Sequence, residues 1–178
     1  TMLALPYALK GYQYRSTPSI GIAPFDGDQA SVGELLKQAD LAMYQAKKAG
    51  RNTLRFFNPE MQAVVTARAA LEEDLRAALA QDEFLLHFQP QVNLAGQCVG
   101  VEALVRWAHP QRGMVSPAQF IPLAEENGLI LPLGRWVLQT ACKLLASWQS
   151  DPALSHLTMA VNVSSRQFRH ASFVDDVA

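Results

Sequence analysis

The sequence predicts an α/β protein, and three observations predict it. In the second half extended and helical patterns alternate, strand, helix, strand, helix, an order that implies parallel strands joined by crossovers. A long helical pattern opening at Asn58-Pro59 separates that half from a shorter mixed unit before it. Hydrophobic residues make up 49% of the 178, enough for one packed domain or two small ones.

Residues 3–9 and 12–25 read as two extended segments that turn at Lys10-Gly11, with Pro18 tolerated at an edge or a bulge. Asp26-Gly27-Asp28 is a turn. Ser31-Val32-Gly33-Glu34 fits a capping box, and Leu35, Ala39, Ala42, Met43 and Ala46 recur at helical spacing until Gly50 stops the helix. Residues 53–57 form a short strand that closes this unit. Asn58 as cap and Pro59 at the first helical position then start a helix expected to reach about Gln81, with Met61, Val64, Leu71, Leu75 and Leu79 as its apolar stripe. It reads as a rigid connector between two domains, stiffer than a Gly/Ser linker.

Residues 84–94 and 98–108 are two strands joined by Ala95-Gly96-Gln97, short enough for an antiparallel hairpin. Ser116-Pro117-Ala118-Gln119 caps a short helix containing Pro122, and Gly128 ends it. Residues 131–149 form a longer helix with Leu133, Trp136, Val137, Leu144, Leu145 and Trp148 on its apolar side. Residues 157–163 are a strand, and another helix begins at Ser165.

Composition excludes several classes. With 15 basic and 16 acidic side chains the chain has no field to attract DNA, so an anionic ligand must be held by local charges. The most apolar run, residues 129–138, is broken by Pro132, Gly134 and Arg135, and nothing approaches the roughly 18 residues a membrane span needs. No signal-peptide pattern opens the chain. Cys98 and Cys142 read as two free core thiols, and a cytoplasmic setting, or the cytoplasmic part of a membrane-anchored parent, is expected.

Chemistry concentrates in Val99-Gly100-Val101-Glu102-Ala103-Leu104-Val105-Arg106-Trp107, where a carboxylate and a guanidinium interrupt an apolar strand. Four apart, Glu102 and Arg106 leave a strand on the same face. Buried, each needs a partner. A metal and a phosphate would satisfy them together; a Glu-Arg ion pair or a wet edge face would do so as well.

The second half resembles the start of an EAL domain, the bacterial phosphodiesterase that hydrolyses cyclic di-GMP. The matching residues are Leu71-Glu72-Glu73-Asp74-Leu75, Phe88-Gln89-Pro90-Gln91, Val101 through Trp107, His109-Pro110, Gly113, Ser116-Pro117-Ala118-Gln119-Phe120-Ile121-Pro122-Leu123-Ala124-Glu125, Trp136-Val137-Leu138 and Val161-Asn162-Val163-Ser164. The first half resembles the tail of a GGDEF domain, the diguanylate cyclase fold, through Ser19-Ile20-Gly21-Ile22-Ala23 and the run from Ala39 to Asn52. The GGDEF signature itself is absent. The resemblances imply a partial α+β cyclase-type unit at 1–57, a connector helix at 58–81, and the first part of a (β/α)8 TIM-type barrel at 82–178. Such a barrel takes about 250 residues, so it cannot close here, and possible self-association through its unfinished edge follows.

The EAL resemblance carries metal ligation, by Mg2+ or Mn2+, onto Glu102 and Asn162, phosphate contact onto Arg106, a guanine contact onto Gln89 and ligand packing onto Leu104. By themselves Asn162 reads as a helix cap or turn, Gln89 and Arg106 as structural hydrogen bonders, Leu104 as core and His109 as structural. Lys47 and Arg51 match nucleotide-phosphate contacts of cyclases, but Lys47 and Lys48 also suit a last helical turn without any ligand. The implied function is a segment of a cyclic di-GMP phosphodiesterase that releases pGpG when intact, this chain alone being inactive. The alternatives are a non-catalytic receptor or scaffold, and a diguanylate cyclase if an upstream signature strand exists.

Overall fold

The computed structural model describes residues 5–27 and 31–177, so residues 3, 4 and 28 of the expected first strand and turn lie outside the described residues. The chain divides into two compact units, Thr1–Ala69 and Ala70–Ala178.

In the first unit β1 (Tyr7–Leu9) and β2 (Tyr12–Tyr14) form an antiparallel hairpin, turned at Lys10 and Gly11, whose φ values of 50° and 84° suit a tight turn. The second extended segment does not continue to residue 25. Pro18, which lacks a ladder N–H, falls between β2 and a separate strand, β3 (Ile20–Ile22). β3 pairs in parallel with β4 (Leu54–Phe56), and α1 (Val32–Lys48) crosses between them. Ser31 caps α1 by accepting from the Glu34 N–H at 3.2 Å. Gly21 is required where β3 meets α1, because a Cβ there would collide with backbone atoms of Ala39 and Met43.

α2 (Pro59–Ala78) is one helix, opened as expected by Asn58, whose Oδ1 accepts from the Met61 N–H at 3.0 Å. It ends a few residues short of Gln81. The anticipated stripe is interrupted: Leu75 and Ala78 are buried, whereas Val64 is 59% exposed. Local pattern marks a helix face whether or not anything covers it.

The second unit is a four-stranded sheet under two helices. β5 (Phe84–Val92) and β6 (Cys98–His109) form the expected hairpin, and β8 (Thr158–Val161) lies parallel to the first half of β6. A strand the sequence reading missed, β7 (Gly113–Val115), returns antiparallel along the last residues of β6. α3 (Pro117–Asn127) and α4 (Ile130–Trp148) follow, with Gly128 left-handed between them at φ 85°. Ser116 sits at the N-cap of α3 without a side-chain bond, a correction to the expected cap. The helix expected from Ser165 is two short ones, α5 (Ser165–Phe168) and α6 (Phe173–Val177).

Period-two alternation divides this sheet into two faces. Phe84, Trp107 and Phe120 stack within 6 Å of one another, with Leu75, Leu123 and Leu133 around them, so the odd-numbered side of β6 is the core. Trp107 is fully buried, and its indole N–H donates to Glu83 Oε2 at 2.8 Å. The opposite face carries Glu102, Leu104 and Arg106. The architecture is mixed α/β, with the strand order of an opened barrel. Cys98 and Cys142 are free but exposed, one at the start of β6 and one on the outer side of α4, contrary to the core placement expected.

Candidate functional site

Register decides what shares the face of Glu102. Gln89 lies directly opposite Glu102, His87 opposite Leu104 and Leu85 opposite Arg106 in the antiparallel β5–β6 ladder. Directly opposed residues point to the same side, so these three pairs form consecutive rungs. On the other flank Ala160 pairs with Glu102 in the parallel ladder. Asn162, two residues on, therefore leaves the end of β8 on the same side.

The contact follows. Asn162 Nδ2 donates to Glu102 Oε1 at 2.6 Å across 60 positions of sequence. Glu102 is half-buried and Asn162 exposed. The bond does not form by sequence proximity; it needs the α3–α4 crossover to bring β8 beside β6. The ion pair weighed for Glu102 and Arg106 is not made: among the described residues no salt bridge joins them, and Arg106 turns its Nη1 to the Val105 carbonyl at 2.9 Å. Glu102 and Arg106 therefore share a face without pairing with each other.

The chain just past Asn162 is fixed by a capping box. Ser164 caps α5, accepting from the Gln167 N–H at 3.1 Å while Gln167 Oε1 accepts from the Ser164 N–H at 3.1 Å. Buried Gln167 thus supports this turn, and Ser164-x-x-Gln167 is a capping box legible in the sequence. On the core side, a cavity of about 190 Å³ lined by Ala103, Val105 and Val137 opens beside Asn162 but does not include Glu102.

The remaining candidates separate from this face. His109 is buried, accepting the Gln111 and Arg112 N–H groups on Nδ1 at 3.1 Å each and facing Asp74 at 3.3 Å, so it is structural. Asp176 pairs with Arg135, whose guanidinium hydrogen bond holds its carboxyl below the usual 3.8. In the first unit Lys47 and Arg51 are exposed at the end of α1, where Lys48 lies over the Tyr44 ring at 5.0 Å and Arg51 has a φ of 62°.

Do the residues fit a divalent cation? Glu102 Oε1 and the Asn162 side-chain amide meet at 2.6 Å, close enough for one cation to touch both side chains. A half-turn of the Asn162 amide replaces its N–H by a carbonyl oxygen. The donor set is hard oxygen, the kind that Mg2+ or Mn2+ takes, and among the described residues no group of three or more His, Cys, Asp or Glu side chains gathers.

A carboxylate within β6, an amide just past the end of β8 and an arginine further along β6 thus share one face of the sheet. The chain belongs to the EAL domain family, whose model matches residues 72–178, and residues 1–53 match the diguanylate cyclase GGDEF domain. It is 44% identical to the bifunctional diguanylate cyclase/cyclic di-GMP phosphodiesterase MucR of Pseudomonas aeruginosa, over 98% of this chain and 26% of MucR. It is 40% identical to the cyclic di-GMP phosphodiesterase PdeR of Escherichia coli, over 94% of this chain and 25% of PdeR. The solved PaMucR phosphodiesterase in complex with c-di-GMP superposes with a TM-score of 0.58 at 48% identity, over 61% of this chain and 44% of that one. The chain thus spans about a quarter of these curated relatives.

Proposed function

We propose that residues 82–178 form the opening part of a barrel that, in the full-length protein, hydrolyses one 3'-5' phosphodiester bond of cyclic di-GMP to give pGpG. Residues 1–57 are read as the end of a cyclase-type unit and 58–81 as the connector. The observation that carries the proposal is the 2.6 Å approach of Asn162 to Glu102 on the face that also bears Gln89, Leu104 and Arg106.

A divalent metal, Mg2+ or Mn2+, would be held there by Glu102 and Asn162 together with ligands this chain does not supply, and would neutralise phosphate charge and activate water. Arg106, released from the Val105 carbonyl, offers a planar fork to the phosphate. Gln89 presents an amide that donates to and accepts from a guanine edge, and Leu104 gives the ligand an apolar floor. Two ligands hold a metal poorly, so the isolated chain is read as inactive.

The test is turnover of cyclic di-GMP by the full-length protein with Mg2+ or Mn2+. Glu102→Ala is expected to remove nearly all of it while leaving the melting temperature close to wild type. Near-full activity in that variant overturns the metal assignment. Tight binding of cyclic di-GMP by the unaltered protein without turnover makes it a receptor instead.

A further inference from the structure

His87 is a hydrogen-bonding side chain on the site face that has no part in the proposed function. Of the four histidines in the chain, three are engaged: His109 with backbone N–H groups and Asp74, His156 with the Cys98 carbonyl, and His170 with the Ser172 hydroxyl. His87 is exposed, and among the described residues neither of its ring nitrogens has a partner. Its neighbours along β5 on the core side are used for packing: Phe84 packs at a tilt against Trp136 and Phe88 edge-on against Trp148. Alternation therefore turns His87 away from the core, toward Glu102 and Arg106.

The register fixes its surroundings. His87 stands directly across from Leu104, on the middle of three rungs; Gln89 with Glu102 lies on one side and Leu85 with Arg106 on the other. Rungs on one face are about 7 Å apart, two residues of strand rise. Gln89 and Arg106 are therefore about 14 Å apart along the strands, and a ligand that touches both crosses the middle rung. Leu104 has no polar side-chain atom to meet it. The parallel ladder brings Val161 beside Ala103, so the middle rung continues into Asn162 on the far side of Leu104.

We infer that His87 is a substrate-contacting residue, its imidazole N–H donating a hydrogen bond to a non-bridging phosphate oxygen of the bound dinucleotide. The phosphate is the partner because His87 is diagonal to both Arg106 and Glu102, the residues that bracket the anionic centre, whereas Gln89 alone faces the base. The inference rests on reading this face as the cyclic di-GMP site.

The experiment is steady-state kinetics of the full-length protein on cyclic di-GMP for four variants: His87→Ala, His87→Gln, His87→Phe and Arg106→Ala. His87→Ala is expected to raise KM about tenfold with kcat within about twofold, as loss of one hydrogen bond to a charged group held alike in ground and transition states predicts. His87→Gln, which restores an N–H donor, should recover most of the loss, and His87→Phe, which keeps only the ring, should not. A KM unchanged in His87→Ala and raised in Arg106→Ala overturns the inference and spares the site. Recovery by phenylalanine as complete as by glutamine makes the role packing and overturns it too. No effect from either His87→Ala or Arg106→Ala places the failure in the site itself.

Discussion

Gly134, in the second turn of α4, lies against the side-chain amide of Gln167 so closely that a Cβ on the glycine would occupy the space of that amide. Replacing a mid-helix glycine by alanine ordinarily stabilises by about 1 kcal/mol. Here the sign reverses, because Gln167 is buried and locked in the capping box with Ser164, two residues beyond Asn162. Gly134→Ala should destabilise the second unit by about 1–3 kcal/mol, read by denaturant titration. Adding Gln167→Ala removes the collision, so the double variant should lose less than the sum of the single losses. Additive losses would mean that the two side chains do not compete for one space.

α2 is continuous across the boundary between the two units, with Val64 and Val65 exposed in its first half and Leu75 and Ala78 buried near its end. If it is the connector, its phase matters. Inserting two residues after Ala67 rotates one end against the other by about 200°, while four residues come close to a whole turn. The two-residue insertion should change the regulation of phosphodiesterase turnover in the full-length protein more than the four-residue one. Equal effects would indicate a flexible tether.

Asp176 of α6 receives two hydrogen bonds from Arg135 of α4, at 3.0 and 3.3 Å, and hydrogen bonding by Arg135 is the main cause of its lowered pKa. A folded carboxyl that titrates below 3.8 contributes stability in full above that value and loses it as pH falls through the folded pKa. Amide exchange across residues 173–177 should therefore be slower in wild type than in Arg135→Gln near neutral pH. The two should converge as pH falls below 3.8. A difference that persists in acid would assign the docking of α6 to packing rather than to this pair.

The sheet of the second unit has its own consequence for the isolated chain. β6 is paired on both sides, but β5 and β8 each leave one edge without a partner among the described strands. Parallel strands are normally covered on both faces and paired on both edges, and open edges recruit other chains. Size-exclusion chromatography with light scattering should show the isolated 178-residue chain associating, and a hydrophobic dye should bind it. A monodisperse monomer with a cooperative melt and no dye binding would show the segment to be self-sufficient.

What the sequence by itself determined was local. Ser31, Asn58 and Ser164 each start a helix because a short polar side chain can reach an N–H group three residues on, and that requires nothing distant. The hairpin of β5 and β6 follows from two extended runs and a short turn, and with it the shared face of Gln89, Glu102 and Arg106. The family motifs named Glu102 and Asn162 as partners in chemistry. Tertiary structure alone decided that they touch, since 60 residues and two helices separate them and only the parallel ladder of β8 on β6 sets the distance. It also decided which polar residues were already engaged. His109 and Asp176 found Asp74 and Arg135 and left the field, whereas His87, unremarkable as a letter beside Phe88, was left free on the site face. Pairing depends on distance between side chains, and distance across the fold is the quantity a linear pattern does not carry.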